Sequence, residues 1–178
     1  AFFPIPAAGG EAIRILENGG NPHFGAASDR VFVEVNEEQK LKLVSVDLGG
    51  GNKREHASGD LVTGYEVSPD GRTLAFRENY NLFVTPFFNG AQSLAVGARG
   101  SQMPITRVTT GGASYPGWTA SGAQLAWTPG PNLYRADTSA MLRTAPGGDY
   151  SPPDAARSLA ISARADVPTG RVALVGAR

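Results

Sequence analysis

The chain holds two histidines, His23 and His56, and neither stands in a pattern that builds a reaction centre. A metal hydrolase site needs several His and carboxylate groups converging, as in H-x-H or H-E-x-x-H spacings. Neither histidine has such a partner, so both read as inter-strand or rim residues. His56-Ala57-Ser58-Gly59-Asp60 gathers the three residue types of a nucleophilic triad. Five consecutive residues cannot align a hydroxyl, an imidazole and a carboxylate in one line of hydrogen bonds, and no G-x-S-x-G elbow surrounds Ser58. The segment reads as a loop. Glu37-Glu38 lies in Val35–Lys40, the exposed tip of a hairpin, and Asp47 precedes a glycine run. That run, Gly49-Gly50-Gly51, lacks the G-x-G-x-x-G spacing and opens no helix, so it is no nucleotide fingerprint. There is no D-x-D-x-D-G calcium loop and no clustered acidic pair of the kind glycoside hydrolysis uses. With no cysteine, thiol nucleophiles, thiolate zinc sites and disulfides are excluded. No catalytic, cofactor-binding or metal-ligating residue is therefore assigned, and no cofactor is expected in this chain.

What the sequence does carry is a repeat. Asn21-Pro22-His23-Phe24 with Asp29–Val33, then Tyr65–Phe76, then Tyr115–Trp127 align as three copies of one unit. Val33, Phe76 and Trp127 stand 43 and 51 residues apart, and Phe24, Val67 and Trp118 keep the same offsets. Such a period is that of a propeller blade. Each unit starts with a short strand that ends in Ser68-Pro69-Asp70-Gly71 or its equivalent, where Pro fixes φ and Gly accepts the turn conformation. An alternating strand follows, then a third (Leu41–Leu48, Asn81–Thr85, Asn132–Arg135), then a fourth such as Gln92–Val96. No sustained 3.6-residue period exists, so helix content is expected to be low. Of the aromatics Tyr65, Phe76, Tyr115, Trp118 and Trp127, a ligand groove is one reading. Phe76, Trp118 and Trp127 are better read as filling the wedges between units, where large side chains bury most area. A β-sandwich with incidentally similar hairpins is the alternative fold.

Composition agrees. Gly (23) and Pro (13) supply the turns, and 41% hydrophobic residues supply a core. Lys+Arg equals Asp+Glu at 16 each, which argues against a nucleic-acid backbone reader or an anionic-membrane binder. No apolar run approaches the length of a membrane span. The N-terminal residues show neither a basic nor an apolar leader segment, so a signal peptide is expected to be absent or already removed.

The expected organisation is an all-β partial propeller of about three four-stranded antiparallel blades over residues 1–136, with a loop-rich C-terminal extension over 137–178. Within it, 1–18 reads as the end of a preceding blade, 19–58 and 59–110 as blades, and 111–136 as a partial blade. Phe2–Leu16 matches a third strand, turn and fourth strand. Residues 137–154 read as loop, Ala155–Ala163 as a strand, Val167–Gly170 as a turn and Arg171–Gly176 as a last strand leading toward a missing domain. About three blades cannot close a ring that usually needs 4–8. The expected partner is thus the remainder of the same polypeptide or a second copy.

The stretch Val67–Phe76, echoed at 24–33 and 118–127, resembles the repeat of the TolB-like, WD40-like bacterial propellers. Ala165–Arg178 resembles the entry strand of an amidohydrolase domain, and together they are similar to proteins in which such a propeller precedes an amidohydrolase. The resemblance implies a non-catalytic accessory part of an enzyme that hydrolyses C–N bonds, its metal ligands outside this chain, and favours a periplasmic or secreted location. It implies, as the alternative, a protein-interaction propeller without an enzyme attached.

Overall fold

The computed structural model describes residues 1–5, 7–90, 92–99, 103–153, 157–164, 173 and 175–176. Among the described residues, thirteen strands form three sheets in chain order, accompanied by one short helix. The first has β1 (Gly20–Phe24), β2 (Arg30–Glu37), β3 (Lys40–Asp47) and β4 (Arg54–Gly59). The second has β5 (Val62–Val67), β6 (Thr73–Glu78) and β7 (Asn81–Pro86), to which β9 (Thr106–Arg107) is added at the edge. The third has β10 (Ser114–Trp118), β11 (Gln124–Thr128) and β12 (Asn132–Asp137), with β13 (Arg157–Ser158) outermost. The all-β expectation thus stands, in three sheets of four to five strands.

The local chemistry repeats along with the strands. Between β2 and β3, Glu38 and Gln39 have φ of 55° and 63°, and between β6 and β7 Asn79 and Tyr80 have 48° and 67°. Two central residues with positive φ give a turn whose twist matches the flanking strands. Between β5 and β6, the Ser68 hydroxyl accepts from the N–H groups of Arg72 and Thr73 at 3.2 and 2.9 Å, and donates to Asp70 at 2.5 Å. Fifty-one residues later the Thr119 hydroxyl takes the same place, accepting from the Gln124 N–H at 3.1 Å. Gly71 and Gly122 hold φ of 69° and 71° at matching points, a conformation that costs other residues most. These turns stack. A Cβ on Gly71 would lie 3.0 Å from Ala26, and one on Gly122 would lie 3.1 Å from Asp70.

The core lies between the sheets. Phe32, Leu43 and Ala57 of the first sheet meet Tyr65, Leu74, Phe76 and Phe83 of the second. Ala75, Leu82 and Val84 on the other face of the second sheet meet Leu125, Trp127 and Ala136 of the third. The expected wedge-fillers are there: Phe76 stacks on Phe83 with centroids 5.2 Å apart, and Trp127 on Tyr134 at 5.8 Å. Trp118 is half-buried against the second of these clusters.

Several elements differ from the expectation. Gln92–Val96 does not close the second sheet; only β8 (Leu94–Ala95) forms, and it pairs in parallel with β4 of the first sheet. The first sheet is therefore five-stranded, and not wholly antiparallel, while β9 takes the closing place beside β7. Gly59 permits the approach: a Cβ there would sit 2.7 Å from the Val96 carbonyl oxygen. At the N-terminus, Phe2 and Leu16 form one isolated antiparallel bridge, not two strands, and Ile15, Phe2 and Leu16 pack on Val31, Val33 and Val44. Residues 137–154 are not all loop: Thr138–Leu142 form helix α1, whose Met141 enters the core beside Trp127. Of the strand expected over Ala155–Ala163, Ala155 and Ala156 lie outside the described residues, and among the rest β13 forms and lies against β12. The turn expected at Val167–Gly170 lies outside the described residues, as do Arg171 and Val172 of the last expected strand. No helix among the described residues is long and apolar enough to cross a membrane.

Candidate functional site

The first strand of each sheet carries an irregularity, within one residue of the same repeat position. Register shifts occur between Gly20 and His23, between Val62 and Gly64, and between Ser114 and Gly117. Asn21 and Tyr115 lie within these shifts and Gly64 borders the second, and the three keep the offsets of 43 and 51 residues. Asn21 and Tyr115 both have φ of 49°. A bulge of this kind re-aims a side chain that regular pairing would hold on the sheet face. Here the three irregularities meet in one groove of about 520 Å³, lined by Asn21, Glu34, Tyr65, Glu66, Arg77 and Tyr115, among others.

Two carboxylates share one amide in that groove. The Asn21 Nδ2 donates to Glu34 Oε1 and Glu66 Oε1, each at 3.2 Å, and to the Tyr65 carbonyl at 2.8 Å. Glu34 Oε1 also accepts the Tyr65 N–H at 2.6 Å. Burial raises the Glu66 carboxyl above the usual carboxylate range, with Glu34 adding to the rise and His23 and the Asn21 amide opposing it. Arg77 stands close by, its guanidinium 3.3 Å from where a Cβ on Gly64 would be; a side chain there would fill the groove. Tyr115, 86% exposed, presents its ring at the mouth. The arrangement offers hydrogen-bond acceptors, one cation and an aromatic face.

His23 supports this wall rather than reacting in it. The Val67 N–H donates to His23 Nε2 at 3.1 Å, so the proton of the neutral ring lies on Nδ1, which donates to the Asn21 carbonyl at 2.9 Å. His23 therefore ties β1 to β5, as an inter-strand histidine does.

His56 lies elsewhere, buried in the first sheet. Its Nε2 is 2.7 Å from Ser45 Oγ, which also accepts from Arg30 Nε at 3.0 Å, while Nδ1 is buried without a hydrogen-bond partner. Its ring packs among Phe32 and Phe87. Burial, then the charges of Arg30 and Arg54, lower its pKa to about 4. His56-Ala57-Ser58-Gly59 is not the loop expected but the end of β4, stabilised by pairing with β3 and β8. Asp60 beyond it bonds Lys40 at 2.8 Å, so no triad forms among these residues.

The remaining sequence candidates are structural. Glu37 bonds Lys53 at 2.6 Å, and Glu38 bonds Lys42 at 3.2 Å, ion pairs at a solvated hairpin tip. Asp47 accepts from the N–H groups of Gly49 and Gly51 at 3.0 and 2.7 Å and from Asn52 at 2.9 Å, which hold its carboxyl below the usual range. The glycine run is thus a carboxylate-capped turn. Among the described residues, no group of three or more His, Asp or Glu is gathered in metal-binding geometry. Of the five aromatics, Tyr65, Phe76 and Tyr115 line the groove while Trp118 and Trp127 do not.

Asn21, Glu34, Glu66 and Arg77 were not singled out by sequence reasoning. The signal lay in the repeat: advancing Asn21 by 43 and then 51 residues lands on Gly64 and Tyr115.

No protein-family model and no curated protein matches the chain. Among solved structures, the crystal structure of a functionally unknown protein from Desulfotomaculum acetoxidans DSM 771 matches with a TM-score of 0.46 at 14% identity, covering 83% of this chain and 51% of that one. The chain spans about half the length of that protein, and a likeness at that level bears on neither the function nor the finer fold.

Proposed function

We propose that this chain is a run of three consecutive β-propeller blades with a scaffolding or substrate-access role and no catalysis of its own. The observation that carries the reading is the convergence of the three irregular first strands on one groove. The stacked turns at Ala26, Gly71 and Gly122 support it, since side-by-side stacking of equivalent turns is what radial repetition produces. The resemblance at Ala165–Arg178 supports placing these blades ahead of an amidohydrolase that cleaves C–N bonds, with the metal held beyond this chain.

The test is hydrolysis of a panel of amide and cyclic imide substrates by the purified chain with added zinc. The expected result is no turnover above a metal-only blank. Turnover lost on Glu34→Gln or Glu66→Gln would replace the accessory reading with a catalytic one. A protein-interaction propeller without an attached enzyme is the second reading, favoured by the exposed Tyr115 ring beside Glu34, Glu66 and Arg77. Recovery of a peptidoglycan- or lipoprotein-linked partner from envelope extract, lost on Tyr115→Ser, distinguishes it.

A further inference from the structure

The lysines of the first sheet pair with carboxylates at its surface. Lys53 meets Glu37 at 2.6 Å, Lys40 meets Asp60 at 2.8 Å, and Lys42 is shared by Glu37, Glu38 and Glu55. The charges in the groove between the first strands behave differently. Glu34, Glu66 and Arg77 line the same space of about 520 Å³. Yet among the described residues no ion pair joins Arg77 to either carboxylate, and its guanidinium donates to the Thr63 carbonyl at 3.4 Å. The carboxylates lean instead on the Asn21 amide, which holds Oε1 of each. Oε2 of each makes no hydrogen bond to a described residue and is left to accept one.

Gly64 keeps the space between these charges open. Its φ is not positive, so the backbone does not itself demand glycine there. A Cβ at this point would lie 3.3 Å from Arg77 Nε and Nη2 and 3.6 Å from Glu34 Oε1. A guanidinium and a carboxylate thus flank one open point without reaching each other. Glu34, Glu66 and Arg77 are all half-buried, and charges drawn out of water are costly until something of opposite sign meets them. Burial and Glu34 hold the Glu66 carboxyl above its ordinary range, against His23 and the Asn21 amide, so a further cation would relieve it. At the mouth, the exposed Tyr115 ring offers a face to an apolar or aromatic group.

We propose that the groove binds a free α-amino acid, its ammonium at Glu34 and Glu66, its carboxylate on Arg77 and its side chain at the Tyr115 ring. An ammonium and a carboxylate on one carbon match a carboxylate and a guanidinium that flank one point, each charge-assisted bond spanning about 2.7–2.9 Å. The guanidinium fork takes both oxygens of a carboxylate at once. A ligand carrying a cation alone would be repelled by Arg77, and one carrying an anion alone by both glutamates. A zwitterion meets neither penalty. This assignment rests on the substrate-access reading of the groove, for hydrolysis of a C–N bond in a dipeptide or an N-acyl amino acid releases this class of molecule.

The test is isothermal titration calorimetry of the full chain with L-phenylalanine, with phenylalaninamide, which lacks the carboxylate, and with N-acetylphenylalanine, which lacks the ammonium. Phenylalanine should bind, and each analogue should bind at least about tenfold more weakly, the effect of losing one charge-assisted hydrogen bond. Arg77→Gln should weaken phenylalanine by a like factor without weakening phenylalaninamide. Glu66→Gln should weaken phenylalanine without weakening N-acetylphenylalanine. Loss of fold would remove all three ligands together, so it does not imitate these changes, and the wild-type series decides alone if a variant does not fold. Absence of phenylalanine binding, or analogues that bind as tightly as phenylalanine, overturns the proposal. If that happens while the chain turns over no amide substrate, the accessory reading stands without the amino-acid site. Turnover of an amide by a chain that binds phenylalanine as expected removes the accessory reading and keeps the site.

Discussion

Acid should unfold this protein through His56. The imidazole is 2% exposed, its Nδ1 has no partner, and the charged groups facing it, Arg30 and Arg54, are both positive. Protonation would place an unpaired cation among Phe32, Phe87 and two guanidinium groups. The folded state holds the ring neutral down to about pH 4, whereas the unfolded chain takes up the proton near pH 6.5. Between these values the unfolded state binds more protons, so stability present above pH 6.5 is lost as pH falls toward 4. At about 1.4 kcal/mol per unit, the loss between pH 7 and 4.5 is about 2 kcal/mol. Urea unfolding of the wild type and of His56→Gln across this range isolates the effect, because the other titrations are common to both. The variant should be less stable at pH 7, where it loses the fit to Ser45, and the gap should narrow by about 2 kcal/mol on reaching pH 4.5. A gap that stays constant with pH refutes the assignment of a buried, neutral His56.

Three further outcomes follow from packing and turn geometry. Trp127→Ala, at a side chain 1% exposed between the second and third sheets, should cost about 3–5 kcal/mol in chemical denaturation. Ser68→Ala removes the acceptor shared by the Arg72 and Thr73 N–H groups and should cost about 1–3 kcal/mol, because the Thr73 N–H is buried; Ser68→Thr, the residue type found at 119, should restore most of it. Gly59→Ala should cost about 1–3 kcal/mol and increase hydrogen exchange at the Val96 amide, which bonds the Ser58 carbonyl at 2.9 Å, since the new Cβ would press on the Val96 carbonyl.

The parts of this fold that were legible in the sequence are those set by neighbours along the chain. Glu38-Gln39 makes a hairpin tip because the flanking strands alternate in phase, and Ser68–Gly71 makes a turn from its own residue types. Phe76 and Trp127, 51 residues apart, were read as buried wedge-fillers, and each stacks on an aromatic ring 51 residues from the other's partner. What could not be read is set by residues far apart. The segment around Leu94 has the pattern of a strand, but alternation does not say which sheet receives it, and the close approach that Gly59 permits joins it to β4. Two-residue strands such as β9 and β13 carry too little pattern to be seen. The groove was hidden for the same reason: Glu34 and Glu66 lie 13 and 45 residues from the Asn21 amide that joins them. Its place was implied by the repeat, its chemistry was not.

The parallel pairing of β8 with β4 has a mechanical meaning. Repeat proteins whose units touch only through side chains can lose them one at a time, each interface yielding separately. Here backbone from the second unit is woven into the sheet of the first, and the Val96 amide extends that seam. Pulling away the first unit must rupture backbone hydrogen bonds, not merely part an oily interface. A like seam joins the second and third units, where Gly147, Gly148 and Tyr150, which follow β12 and α1, bond the backbone of Ile105 and Arg107, so all three should behave as one cooperative body under force or denaturant.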